Sequence, residues 1–191
     1  MTLEDRCPWC GTDPLYVAYH DHEWGRPERD PRRLFELLCL ESFQAGLSWI
    51  TILRKRTEFR AAFAGFHPET LATWGEPEIT RLLANPGIVR HRGKIEGTIR
   101  GAQAFLRIEA EQGFSQFLWS FTKGEPLQPR RQRMSDVPGH TPDSLAMSKA
   151  LKAQGFNFVG PTITYAFMQA SGMVNDHLAT CPCHATVAGL A

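Results

Sequence analysis

Prolines in this chain stand at the starts of helix-period apolar segments, and that placement constrains the fold more than any other feature. Proline lacks an N–H and has a fixed φ, so it suits the first turn of a helix and disrupts the interior. Asp30-Pro31 reads as an N-cap followed by proline at the first helical position, with Leu34, Leu37, Leu38 and Glu41 continuing at helical spacing. Gly46 is a stop signal, and Ser48 is placed to cap a second helix carrying Trp49, Ile52, Leu53, Arg56, Phe59, Arg60 and Phe63. Pro68 and Pro77 start two short helices, and Asn85-Pro86-Gly87 is a turn that ends the second. From about His91, the residues Ile95, Ile99, Ala102 and Leu106 mark one face of a longer helix, and Phe117, Leu118 and Phe121 suggest a short one. Residues 124–139, rich in proline, arginine and glutamine, read as an exposed loop. Thr141-Pro142-Asp143 opens a helix with Leu145, Ser148 and Leu151 on one face, closed by Gly155. Pro161 starts the last clear helix, which ends near Gly172. With few β-branched alternations to compete, the expected fold class is all-α.

The 191 residues suffice for one domain, or two small ones, with a real core. A formal charge of +1 gives no general attraction to nucleic acid, so any such contact depends on where the basic residues sit. The apolar runs are too short to span a bilayer, and MTLEDRCPWC has no signal-like apolar core, so a cytoplasmic protein is expected.

One charged residue stands out. Glu41 closes the apolar run of the Pro31 helix in CLESFQAGLSWITILRKR. A buried carboxylate without a partner is expensive, so Glu41 is either exposed at a helix end or buried for a purpose.

Five cysteines without a secretion signal argue against a disulfide framework. Cys39 reads as a small buried hydrophobe. Cys7 and His20 near one end, with His177 and Cys181 near the other, form a candidate tetrahedral set, the second pair on one face of a helical turn. An all-thiolate set of Cys7, Cys10, Cys181 and Cys183 is equally compatible with spacing, as are scattered thiols with no metal at all. Neither the zinc-deaminase nor the zinc-protease pattern is present, which favours a structural ion over a catalytic one.

NPGIVRHRGK joins two helical segments through a Pro-Gly turn followed by Arg90, His91, Arg92 and Lys94. A glycine turn at a helix N-terminus can present N–H groups to a phosphate, with the bases adding non-specific attraction. A solvated αα-corner explains the same residues. The turn resembles a helix-hairpin-helix whose second glycine is replaced around Val89-Arg90. Arg54-Lys55-Arg56 and Arg130-Arg131-Gln132-Arg133 would extend a DNA face or lie in solvent.

DPLYVAYHDHEWG (13–25), CLESFQAGLSWITILRKR (39–56), GIVRHRGKI (87–95), AMSKALK (146–152), GFNFVGPTITYAFMQASGMVNDH (155–177) and Cys181 together resemble the 3-methyladenine DNA glycosylase I family of the helix-hairpin-helix superfamily. The likeness runs from Cys7 to about Cys183. It implies an all-α glycosylase unit of two lobes, one over about 30–125 with the hairpin near 85–94, the other from about 1–29 and 126–191. A structural zinc ion held by Cys7, His20, His177 and Cys181 would join the terminal segments, leaving Cys10 and Cys183 as spare thiols. The resemblance places the base-recognising glutamate at Glu41 and the aromatic pocket at Trp9, Tyr16, Tyr19 and Trp49. It places the wedge into the lesioned strand in the segment Gln44 to Leu47, with Gln44, Gly46 and Leu47 as contacts; the turn itself offers further expected DNA contacts at Gly87, Arg90, Arg92, Gly93 and Lys94.

The implied activity is excision of 3-methyladenine from alkylated duplex DNA by a monomer, leaving an abasic site without strand cleavage. A base methylated at N3 is cationic while joined to deoxyribose, and a flipped cation suits electron-rich ring faces and a carboxylate. Glu41 would then recognise and stabilise the base, with activation of water a weaker role. A zinc-stabilised binder that recognises altered DNA without cutting it is the alternative; a zinc hydrolase is a third.

Overall fold

The computed structural model describes residues 6–190. Residues 1–5 and 191, which the sequence reading included in the leader search and the second lobe, lie outside the described residues. The described chain is all-helical, without a strand, and its one isolated β-bridge joins Leu127 to Val174. Ten α-helices run in order: α1 (Pro14–His22), α2 (Pro31–Gln44), α3 (Trp49–Ala62), α4 (Pro68–Leu71), α5 (Glu76–Leu83), α6 (Arg92–Glu111), α7 (Phe114–Trp119), α8 (Pro142–Ala153), α9 (Pro161–Ala170) and α10 (Pro182–Ala188). No described helix is long and apolar enough to cross a membrane.

The caps explain the starts. Asp30 accepts hydrogen bonds from the N–H groups of Arg32 and Arg33, and Asp13 does the same for Leu15 and Tyr16 at α1. Thr141 accepts from Ser144 N–H at α8. Ser48 occupies the N-cap of α3, but its hydroxyl pairs with that of Thr51 at 2.8 Å rather than with the backbone.

The core is built on α2, which packs against α3, α6 and α9. Leu34, Phe35, Leu38 and Phe43 are buried along α2, and Phe59, Phe63, Ile95, Phe105, Phe114, Met147 and Phe167 close around them. On α8 the buried face is Ser144, Met147, Ser148 and Leu151, whereas Leu145 points outward; a one-position error in helical phase accounts for the mistaken assignment. The proline-rich segment 124–139 is mainly exposed, with a short 3-10 turn at Met134–Asp136.

Helices α1 and α10 were not expected. In α1 the buried residues Tyr19 and His20 are neighbours, so no apolar stripe recurs at helical spacing. Only seven residues form α10, whose buried Cys183 and His184 do not read as an apolar face.

Candidate functional site: an aromatic cavity beside a Cys-His cluster

A cavity of about 240 Å³ opens where the last turn of α2 meets α1, α3 and α9. Its walls include all five residues expected there, namely Trp9, Tyr16, Tyr19, Glu41 and Trp49, together with Gln44. Trp24, Gln169 and Asp176 also line it and were not singled out from the sequence. Trp24 lies within the 13–25 motif, and Gln169 and Asp176 lie within the 155–177 motif, but apolar periodicity carries no signal for any of the three.

The aromatic groups form a connected wall. The Trp9 ring lies 5.1 Å from Tyr16 and 4.8 Å from Trp24, both edge-on, and Tyr19 lies 5.5 Å from Trp49. Edge-to-face packing fixes ring orientation while leaving faces free for a guest. The indole N–H groups of Trp9 and Trp49 are buried with no hydrogen-bond partner.

Glu41 is only 3% exposed, and its Oε2 also has no hydrogen-bond partner. Burial in this apolar setting pushes its carboxyl from an ordinary 4.5 up to about 8. It is therefore protonated at neutral pH, and a cation placed beside it would favour the carboxylate. This resolves the alternative posed by the sequence in favour of burial.

From the end of α2 the chain turns through Ala45, Gly46 and Leu47 into α3. Gly46 has φ +84°, a conformation that favours glycine, and Leu47 is exposed at the turn. Lys94, expected at the DNA backbone, instead points inward. Its ammonium donates to the carbonyls of Phe43 and Ala45, because the last carbonyls of α2 have no intrahelical partner. Burial lowers its pKa.

The Pro-Gly turn is present between α5 and α6, with Gly87 N–H donating to the Asn85 side chain. Arg90 is exposed, and Gly93 sits in the first turn of α6. Arg92 pairs with Glu76 at 2.8 Å and Glu96 at 3.4 Å, so its charge is largely neutralised within the protein. The basic run after α3 begins is likewise engaged. Arg54 pairs with Asp13, Arg56 with Glu23, and Lys55 donates to the carbonyls of Pro86 and Gly87. Lys55 thus braces the turn from behind.

Cys7, His20, His177 and Cys181 are buried together, with ligand atoms within 4.8 Å of one another. The Cys7 Sγ to His177 Nδ1 and Cys181 Sγ to His20 Nε2 separations are both 3.7 Å. Donors about 2.0–2.3 Å from a common ion at tetrahedral angles would stand about 3.6 Å apart, so the set fits a four-coordinate metal. The remaining ring nitrogens are fixed from outside. His20 Nδ1 meets Asp21 at 2.8 Å, and His177 Nε2 meets the Trp24 carbonyl at 3.1 Å. Arg6 holds Asp21 down at about 2, with His20 adding to the effect. The Leu178 N–H donates to Cys7 Sγ. Cys181 is driven towards thiolate by its neighbour Cys7 and by the two histidines.

The expectation that His177 and Cys181 share a helical turn is corrected: the segment is a loop, and Cys181 is the N-cap of α10. A bend after Leu178, closed by a Cys181 N–H to Leu178 carbonyl bond of 2.8 Å, brings the two together. The cluster also builds the cavity. Trp9 lies two residues after Cys7, Asp176 immediately precedes His177, and the Trp24 ring packs edge-on to His177 at 4.7 Å.

A model of the methyladenine glycosylase family matches residues 9–184. DNA-3-methyladenine glycosylase 1 of Escherichia coli (strain K12) is 50% identical over 181 residues, 94% of this chain and 97% of that protein. A crystal structure of 3-methyladenine DNA glycosylase I has TM-score 0.92 at 53% identity, covering 94% of this chain and 99% of the other. Another, a variant of 3-methyladenine DNA glycosylase I in complex with 3-methyladenine, has TM-score 0.90 at 42% identity, covering 93% and 96%.

Proposed function

The chain belongs to the methyladenine glycosylase family and is an N-glycosyl hydrolase, and from that premise we propose that it excises 3-methyladenine from alkylated duplex DNA. The observation that carries the reading is the unpartnered Glu41 carboxyl inside a cavity walled by Trp9, Tyr16, Tyr19 and Trp49. A flipped cationic base is stabilised there by ring faces, and its charge favours the Glu41 carboxylate, whose proton leaves to solvent. Water then attacks C1′, the C1′–N9 bond breaks, and the base leaves neutral as its ring takes back the bonding electron pair. The sugar keeps the hydroxyl, and the second proton of water goes to solvent or a nearby base.

Exposed Leu47, with Gln44 and Gly46, enters the space the base vacates. The turn at Gly87, exposed Arg90 and the α6 start at Gly93 grip the backbone. Arg92 joins them only by exchanging its glutamate partners for phosphate. In this reading the chain divides into two lobes, about 30–125 and about 1–29 with 126–191, and the Pro-Gly turn serves as the hairpin of a helix-hairpin-helix. Lys94 is held by carbonyls and offers no free amine for a Schiff base, which favours a monofunctional reaction that leaves an abasic site. Cys7, His20, His177 and Cys181 hold a structural zinc ion, which ties the terminal segments together when bound. The protein works as a cytoplasmic monomer.

Incubation with methylated DNA, followed by chromatography of released bases, tests the reading. Free 3-methyladenine with the abasic strand unbroken is expected. Binding without release would instead establish the non-catalytic alternative.

A further inference from the structure

We propose that Asp176 is a second base-recognising carboxylate, which shares with Glu41 the exocyclic amine of the flipped purine and sets the preference for adenine over guanine. The inference rests on the glycosylase reading and deepens it.

Asp176 is 2% exposed and forms part of the cavity wall. Its Oδ2 accepts from the Tyr165 hydroxyl at 2.5 Å and from Gln169 Nε2 at 2.8 Å. Its Oδ1 has no hydrogen bond; Arg131 Nε lies 3.5 Å away and is itself without one. A carboxylate offers about four acceptor sites, and leaving one oxygen of a buried carboxylate unmet is costly. Tyr165 and Gln169 therefore orient the group without exhausting it.

The same deficiency recurs around the cavity. Glu41 Oε2 and Asp176 Oδ1 are carboxyl oxygens without a hydrogen bond, Oδ1 having only the Arg131 ion pair at 3.5 Å, and the Trp9 and Trp49 indoles are unmet donors. A guest that satisfies this wall is flat and carries donors for two carboxyl groups. The amine of 3-methyladenine has two hydrogens, one for each, and the positive ring adds a Coulombic gain. A guanine ring would present a carbonyl oxygen at that edge, which the proton of Glu41 could meet but which leaves the Asp176 carboxylate opposite an acceptor. A site built for N–H donors rejects such a ligand strongly.

The test compares wild type with Asp176→Asn on methylated DNA, following release of 3-methyladenine and 3-methylguanine separately. Asparagine keeps the shape and an acceptor for Tyr165 and Gln169 but removes the charge. The ratio of kcat/KM for 3-methyladenine over 3-methylguanine should fall roughly ten- to a hundredfold, with zinc content and melting temperature near wild type. An unchanged ratio in active protein overturns the inference and leaves the glycosylase reading standing. If wild type releases neither base, the reading itself fails and the inference with it. Should the variant lose its metal, wild-type protein with isotope-labelled 3-methyladenine decides. Two distinct downfield amine protons, one cross-relaxing with the Asp176 methylene, support the proposal; an amine remote from Asp176 overturns it.

Discussion

The ammonium of Lys94 lies 2.7 Å from the carbonyl oxygen of Ala45 and ties the start of α6 to the end of α2. A cation is favourable at a helix C-terminus, where carbonyls lack intrahelical partners. The bond also links the Gly87 turn to the loop that carries Gly46 and Leu47, so the two elements proposed to contact DNA share one anchor. Lys94→Met should cost about 2–4 kcal/mol in urea unfolding, because charge-assisted bonds are lost and buried carbonyls are left unmet. Base release should fall further than the loss of folded protein explains, since the loop beside Glu41 is loosened.

Glu41 makes stability depend on pH in a defined direction. Its carboxyl is raised to about 8 when folded against 4.5 in the open chain, so the native state holds a proton that the unfolded chain has released. Stability is full below the lower value and declines as pH rises towards about 8, by up to ~1.4 kcal/mol per pH unit. Glu41→Gln should abolish that slope. Matched denaturant titrations of both proteins between pH 6 and 8 check this, and parallel curves would count against it.

The same variant separates recognition from folding. Glutamine cannot supply negative charge to a cationic base, so base release should fall about a hundredfold with the fold intact. In wild type, binding of the cation 3,9-dimethyladeninium should tighten as pH rises towards 8, because the carboxyl becomes easier to deprotonate. Calorimetry in buffers of different ionisation enthalpy should detect proton release on binding.

The Cys-His cluster predicts one zinc ion per chain. Cys7→Ser or Cys181→Ser should lose the metal and unfold at lower temperature, whereas Cys10→Ser should retain it. Chelation should remove activity and cooperative melting together, as for a structural ion. Metal analysis alongside calorimetry measures both; activity lost with melting unchanged would indicate a catalytic ion instead.

Leu47 is 43% exposed, so Leu47→Ala should change stability by no more than ~0.5 kcal/mol. If the side chain fills the duplex as an apolar wedge, the variant should release base roughly tenfold more slowly from DNA. Binding of free 3-methyladenine should be unaffected, and the contrast between the two assays locates the role on the DNA side of the cavity.

Much of the helical framework was legible because proline and cap residues act locally. Asp30, Thr141 and Pro161 mark their helices without regard to distant chain, and the positive φ of Gly46 belongs to the turn itself. The resemblance supplied the aromatic residues and metal ligands that spacing alone left open, and the structure brings each group together. Local reasoning failed where burial departs from apolar periodicity. Helix α1 buries a histidine beside a tyrosine, and the His177–Cys181 loop mimics helical spacing without being a helix.

By itself the sequence determined the helical class, the positions of most turns and the chemical inventory of the site, because these depend on backbone propensities and residue types close in the chain. Tertiary structure alone decided which charges are free. Lys94 turns inward to α2 carbonyls, and Arg54, Lys55 and Arg56 are all engaged by distant partners. Glu41 and Asp176 are 135 residues apart, yet they line one cavity because the terminal segments meet at the Cys-His cluster. Burial and partnership are properties of packed surfaces, and no local pattern encodes which surfaces meet.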